Sequence, residues 1–205
     1  MNGLLGKKMG MTQIYTEKGD CVPVTVIQVE RCVPVLQRTE GQDGYQGVLV
    51  AYGERKDKHT NKPMQGVFKK LKTAPAKVLT EFRGQEVGEE ELGQPLKVDM
   101  FQEGDIVDVV GVSKGRGFAG TVKRHNFKVG RRTHGNSNHR APGSVGQCAT
   151  PSRIFKGKKL PGRMGGVQCT TRNCSLVRID TENNLLFVMG SVPGANNGIV
   201  FINKA

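Results

Sequence analysis

The sequence lacks tryptophan, is poor in other aromatic residues and has no long apolar run. Phe, Tyr and Trp together make up 5% of the 205 residues, and hydrophobic residues make up 36%. No run approaches the roughly 18 apolar residues of a membrane-spanning helix. The basic residues near the start are not followed by the apolar stretch of a secretory signal. We therefore expect a cytoplasmic protein with a modest core and no membrane partner.

The cysteines do not have the spacing of a metal site. They are Cys21, Cys32, Cys148, Cys169 and Cys174, an odd number with no Cys-x-x-Cys pair. A structural zinc site usually has two closely spaced ligand pairs. Free thiols in a reducing compartment are therefore expected, with no metal and no cofactor.

Acidic residues are missing from about a third of the chain. No Asp or Glu occurs between Asp108 and Asp180, yet these 71 residues hold 15 of the 31 Lys and Arg. The remainder has 16 basic and 18 acidic residues, so the acid-free segment accounts for the net charge of +13. A solvated surface normally mixes both signs, because like charges repel. Unmatched cations predict an external polyanion, with nucleic acid favoured over an anionic membrane or a heparin-like polymer.

Short apolar and β-branched runs on both sides of this segment predict strands. The runs cover residues 22–29, 33–37, 45–52, 78–82, 96–100, 106–110, 175–179, 185–189 and 199–202. Turn residues such as Asp43-Gly44 and Asn183-Asn184 separate them, as is typical of an antiparallel barrel or sandwich. Short helices are predicted near residues 65–71 and 118–125.

The acid-free segment itself predicts a loop. It has 12 Gly between Gly111 and Gly166, three Pro, and few apolar residues, which follow no sustained period. Such a chain buries too little apolar surface to offset its ordering entropy. We expect residues 1–110 and 174–205 to fold together as one β body. Residues 111–173 are expected to loop out as a basic, Gly-rich extension, for which RNA phosphates could supply the missing interactions.

Two patterns in this extension suggest an enzyme but lack necessary partners. Residues 115–120 match the G-x-G-x-x-G pattern of dinucleotide-binding folds, yet no acidic residue follows at the distance that would hold a ribose. The side chains of His125, His134, His139 and Cys148 match no common zinc spacing, and a Cys-His pair would lack an orienting carboxylate. Histidines that contact RNA phosphates or bases are the favoured interpretation, and an enzyme is the alternative.

The candidate RNA-binding residues are the cations of the extension, its histidines and one glutamine. Aromatic residues that could stack on bases are few, so contacts should be mainly to phosphate and sugar. The candidates are Lys114, Arg116, Lys123, Arg124, His125, Lys128, Arg131, Arg132, His134, His139, Arg140, Gln147, Arg153, Lys156, Lys158, Lys159, Arg163 and Arg172.

Several long motifs resemble the L-three family of bacterial large-subunit ribosomal proteins. They are residues 3–12 (GLLGKKMGMT), 113–124 (SKGRGFAGTVKR), 133–135 (THG), 139–147 (HRAPGSVGQ), 155–165 (FKGKKLPGRMG), 184–186 (NLL) and 190–194 (GSVPG). They occur in family order over nearly the whole chain, and HRAPGSVGQ is the most specific of them.

The resemblance implies a mainly β protein that is a structural constituent of the large ribosomal subunit, not an enzyme, and has no small-molecule substrate. A translation-protein-like antiparallel β-barrel body with short helices would carry a long basic, irregular loop. The protein would bind large-subunit ribosomal RNA, contact neighbouring large-subunit ribosomal proteins and support early subunit assembly. Its loop would extend toward the peptidyl transferase centre.

The resemblance also implies a modification. In several bacteria the glutamine that matches Gln147 is methylated on its side-chain amide, so Gln147 is an N5-methylglutamine candidate and a glutamine methyltransferase a candidate partner. Cys148 departs from the family pattern, which has a more polar residue there. The midpoint of the extension falls near residue 141, and residues 139–150 are therefore predicted to form its tip.

Overall fold

The computed structural model describes residues 2–88 and 91–205, and the chain divides into two compact units. The first, here called the barrel unit, is built from the residues before Ser113 and those from Gln168 onward. The second, here called the arm, is Ser113–Val167. No helix among the described residues is long and apolar enough to cross a membrane.

Most of the regular structure is β. The strands are β1 (Gly3–Tyr15), β2 (Cys21–Gln28), β3 (Cys32–Arg38), β4 (Gly47–Glu54), β5 (Ala76–Arg83), β6 (Ile106–Val112), β7 (Phe118–Ala119), β8 (Gly162–Arg163), β9 (Gln168–Asp180), β10 (Leu185–Met189) and β11 (Ile199–Lys204). The helices are α1 (Glu40–Asp43), α2 (Lys62–Lys70) and α3 (Thr121–His125), and 3-10 turns lie at Asp57–His59 and Val98–Met100.

Six strands close into an antiparallel barrel in the order β1-β11-β6-β9-β10-β2. A separate three-stranded sheet has the order β3-β4-β5, and β7 pairs with β8 in the arm. The barrel and this sheet share one hydrophobic core, to which the sheet contributes Val48, Val50, Tyr52 and Phe82. The prediction of a mainly β protein with short helices is confirmed.

One predicted strand is wrong. Residues 96–100 alternate apolar and polar side chains, but Val98–Met100 forms a 3-10 turn. The backbone amide of Leu96 donates to the carbonyl oxygen of Cys32 at 2.7 Å, and Val98 and Phe101 are buried in the core. The turn buries its apolar side chains as a strand would, so alternation over five residues does not separate the two structures.

β1 is a long strand that the sequence pattern did not reveal, because it contains glycines. A Cβ atom at Gly3 would lie 2.7 Å from the Cε1 atom of Phe82, and one at Gly6 would collide with the Cγ2 atom of Ile27. Both glycines therefore permit close packing inside the barrel unit. On its two edges β1 pairs with β11 and with β2, so it closes the barrel.

Lys8 connects the first family-like motif with the last one. Its ammonium group donates to the carbonyl oxygens of Val192 at 2.6 Å and of Gly194 at 3.3 Å. Its backbone amide donates to the carbonyl oxygen of Gly198 at 2.9 Å. Lys8 is only 7% exposed, and these hydrogen bonds offset the cost of taking its charge out of water.

Helix α2 packs on the three-stranded sheet through Phe68, which forms a small core with Ala51 and Ala76. The side-chain amide of Gln65 donates to the carbonyl oxygens of Asp57 at 3.1 Å and of Thr60 at 2.9 Å. These bonds attach the preceding 3-10 turn to the helix. The predicted helix at 65–71 thus exists but begins three residues earlier.

Gly66→Ala is expected to raise the free energy of unfolding by about 0.5–1 kcal/mol, because Gly in a helix interior is worse than Ala by that amount. An added Cβ atom would meet nothing within 4 Å. Gly44→Ala is the control: the space is also open, but the φ angle of +79° strains any L residue. Equilibrium denaturation should show opposite signs for the two variants, and equal effects would contradict this explanation.

Candidate nucleic-acid interface

The arm carries the whole net charge of the chain. Of the 31 Lys and Arg, 13 lie in Ser113–Val167, which contains no Asp or Glu. The other 18 are balanced by the 18 Asp and Glu of the barrel unit. All 13 cations are exposed, whereas the ion pairs found among the described residues all join residues of the barrel unit. The arm cations are therefore available to an external anion.

The base of the arm is a short antiparallel ladder. The backbone amide of Ser113 donates to the carbonyl oxygen of Val167 at 2.9 Å, and that of Arg116 to Met164 at 2.8 Å. Gly165 has a φ angle of +71°, and a Cβ atom there would collide with the carbonyl oxygen of Lys114. This ladder holds the backbone of Lys114, Arg116 and the β8 residue Arg163 in place while their side chains remain exposed.

Helix α3 brings three candidates together in its last turn, Lys123, Arg124 and His125. Arg124 Nη1 donates to the carbonyl oxygen of Leu160 at 2.7 Å, and His125 Nε2 lies 3.1 Å from the same oxygen. These contacts tie the helix to the returning chain. Arginine has five N–H donors, so Arg124 retains others for a phosphate.

The next loop is closed by its own hydrogen bonds. The backbone amide of Gly130 donates to the carbonyl oxygen of His139 at 2.8 Å, and Asn136 Nδ2 donates to that of Arg131 at 3.0 Å. His139 Nδ1 lies 2.9 Å from the same Arg131 oxygen. Because a carbonyl only accepts, this nitrogen must carry the proton. The closed loop presents exposed Arg131, Arg132 and Arg140 side chains.

The segment around Gln147 is open. Its side chain is exposed in the chain without RNA, and it makes no side-chain hydrogen bond to the residues that the structure describes. A shallow cavity beside it is lined by Val145, Gly146, Gln147, Cys148, Ser152, Arg153 and Ile154. The Gln147 amide is thus accessible to solvent.

One candidate lies outside the arm. The ladder between β6 and β9 continues as far as Val112 opposite Gln168. Arg172 is therefore part of β9 in the barrel unit, and residues 168–173 are strand where a loop was expected. The other candidates, from Lys114 to Arg163, share the arm.

Two exposed aromatic rings in the arm were not among the candidates. Phe118 is 79% exposed and Phe155 is 55% exposed. A ring left in solvent beside cations can stack on a nucleic-acid base. The sequence contained a signal for both rings, because Arg116 lies two residues before Phe118 and Lys156 directly follows Phe155. An aromatic residue close to a cation can stack on a base while the cation binds a phosphate.

The glycine-rich pattern is not part of a dinucleotide-binding fold, and the cysteine-histidine set forms no metal site among the described residues. β7 is antiparallel to β8, whereas a dinucleotide fold needs parallel strands. Within residues 2–88 and 91–205, no three His, Cys, Asp or Glu side chains could hold a metal ion together. All five cysteines are free. Burial raises the pKa of the Cys32 thiol to about 11, so it stays protonated and unreactive at neutral pH.

A family model and individual known proteins all relate the chain to one protein family. The family model described as ribosomal protein L3 matches residues 84–185. The chain is 49% identical over 203 residues to the large ribosomal subunit protein uL3 of Halalkalibacterium halodurans, covering 99% of this chain and 97% of that protein. It is 50% identical over 202 residues to uL3 of Alkaliphilus metalliredigens, covering 98% and 96%. The chain therefore belongs to the ribosomal protein L3 family.

Proposed function

We propose that this protein, as a structural constituent of the large ribosomal subunit, binds large-subunit ribosomal RNA through its arm. The observation that carries the proposal is the arm's set of 13 exposed cations without a single carboxylate. Packed RNA places many phosphates close together, so an acid there would be repelled and each cation would find a partner. The candidate residues in the arm make these contacts, together with Arg172 in β9.

The finer role follows from the same arrangement and from the family. The arm extends through RNA toward the peptidyl transferase centre, the protein joins the subunit early in assembly, and neighbouring ribosomal proteins contact it. It works in the cytoplasm, where ribosomes act. A glutamine methyltransferase modifies the exposed side-chain amide of Gln147. The protein positions RNA and performs no chemistry itself.

The salt dependence of RNA binding tests this mechanism. If about 6–10 phosphates are neutralised, the affinity for a protein-free bacterial large-subunit RNA transcript should fall roughly 10³–10⁵-fold between about 50 and 200 mM salt. A nearly flat dependence would contradict phosphate binding. In a cell lysate the protein should also sediment with large subunits, and RNase treatment should abolish this.

A further inference from the structure

The barrel unit is neutral overall, but its charges are not evenly distributed. Residues 55–77, here called the α2 segment, hold eight of the unit's 18 Lys and Arg and only one of its 18 acids, Asp57. The rest of the unit then has 10 basic and 17 acidic residues. The segment carries a formal charge of +7 and the rest of the unit −7, so a second cationic region lies outside the arm.

The α2 segment is a folded surface. Its 3-10 turn, Asp57–His59, is joined to α2 by the two hydrogen bonds of Gln65. Phe68 anchors α2 in the small core on the three-stranded sheet. The backbone amide of Arg55 donates to the carbonyl oxygen of Pro75 at 3.0 Å, which ties the two ends of the segment together. The cations therefore project from a backbone that is already ordered.

The cations of the α2 segment are exposed, and nearly all lack a carboxylate partner. They are Arg55, Lys56, Lys58, Lys62, Lys69, Lys70, Lys72 and Lys77. Among the described residues, only Lys77 of this set forms an ion pair, with Glu30 at 3.1 Å. The others can neutralise external anions without first breaking an ion pair.

One face of α2 is open to close approach. Lys62 and Lys69 are seven residues apart, two helical turns, and so lie on the same face. Gly66 lies between them, and no atom lies within 4 Å of where its Cβ would be. A phosphate chain can therefore approach the helix backbone between the two ammonium groups.

We infer that the α2 segment is a second RNA-binding surface, which takes the phosphate backbone of an RNA helix independently of the arm. This inference rests on the proposed function, because it assigns a further site for the same ligand class. The cations are seven Lys and one Arg, which lie in the 3-10 turn, in α2, at the start of β5 and in the residues between these elements. Lysine acts on phosphate as a point charge.

RNA suits this surface better than an acidic protein does. Protein interfaces are depleted in Lys and enriched in Tyr, Trp and Phe. The only aromatic residue of the α2 segment outside histidine is Phe68, which is buried. Its exposed large apolar side chains are Met64 and Val67, each 40% exposed. They leave little apolar area for a protein partner to cover.

The test uses the full chain and a protein-free bacterial large-subunit RNA transcript. The first variant is Lys58→Gln, Lys62→Gln and Lys69→Gln. The matched control is Lys18→Gln, Lys97→Gln and Arg178→Gln, which removes the same charge from exposed positions elsewhere in the barrel unit. A third variant, Arg131→Gln, Arg132→Gln and Arg140→Gln, reports on the arm. Circular dichroism establishes that each variant is folded.

We expect the α2 variant to reduce the slope of log affinity against log salt by about 2–3, since each phosphate contact contributes about 0.7–0.9. The matched control should leave the slope unchanged. A smaller slope for the arm variant alone would overturn this inference and leave the proposed function intact, whereas no change in any variant would remove both. An α2 variant with normal RNA binding but weakened binding to another ribosomal protein would also overturn it, since the segment would then be a protein contact.

Discussion

Replacing residues 127–159 with a Gly-Ser-Gly linker is expected to lower the affinity for large-subunit RNA roughly 10³-fold at about 100 mM salt, with the barrel still folded. The two ends can be joined because His125 Nε2 lies 3.1 Å from the carbonyl oxygen of Leu160. The replacement keeps α3 and the β7–β8 ladder. It removes eight of the arm's 13 cations: Lys128, Arg131, Arg132, Arg140, Arg153, Lys156, Lys158 and Lys159.

The magnitude assumes that about four of these eight cations contact phosphates, each contributing about 0.9 to the slope against log salt. The control is a chain of full length in which the same eight residues are changed to Gln. It separates the effect of removing the charges from the effect of removing the segment itself. Filter binding measures the affinity, and thermal melting reports on the barrel. Unchanged affinity in both proteins would exclude the arm as the main RNA contact.

Gln147→Glu is expected to impair subunit assembly, whereas Gln147→Ala should be milder. The arm contains no carboxylate, and a glutamate at the predicted tip would bring a negative charge among phosphates, where it is repelled. Glutamine both donates and accepts hydrogen bonds without charge, and alanine loses only those bonds. Sucrose gradients of cells that carry each variant should show particles lighter than the large subunit, most abundant for Gln147→Glu.

The same chemical change in the barrel unit is the control for Gln147. Gln94→Glu alters an exposed side chain and should leave the gradient profile unchanged. Wild-type profiles for both Gln147 variants, or a subunit structure with Gln147 at the solvent surface, would contradict the predicted tip.

The strands predicted correctly are apolar runs, some rich in β-branched residues, such as β2 and β6, and one, β10, rich in Leu and Phe. The sequence could not reveal β1 in the same way, because Gly3 and Gly6 lower strand propensity while allowing the close packing described above. The strand predicted at residues 96–100 was wrong, because a short alternation of apolar and polar residues also fits a buried turn. Strand propensity therefore predicts an element only where tertiary packing does not override the preference of the local sequence.

The arm was identifiable from the sequence because its charge has no local compensation. The α2 segment is also basic in the sequence, but it predicts no binding surface by itself, because acidic residues elsewhere in the barrel unit balance its charge of +7. Only the fold shows that Lys62 and Lys69 lie on one helix face. The internal bonds of Arg124, His125 and His139 also could not be predicted, since they depend on the path of a glycine-rich backbone.

The 55 residues of the arm connect β6 to β9, and these two strands pair directly with each other in antiparallel orientation. Closing a flexible loop costs entropy that grows only with the logarithm of its length. Shortening the arm to about 25 residues would therefore change the closure cost by less than about 1 kcal/mol. The arm can therefore gain or lose residues with little effect on the pairing of β6 with β9. Under the proposed function, the length of the arm would then be set by the distance that it spans in RNA.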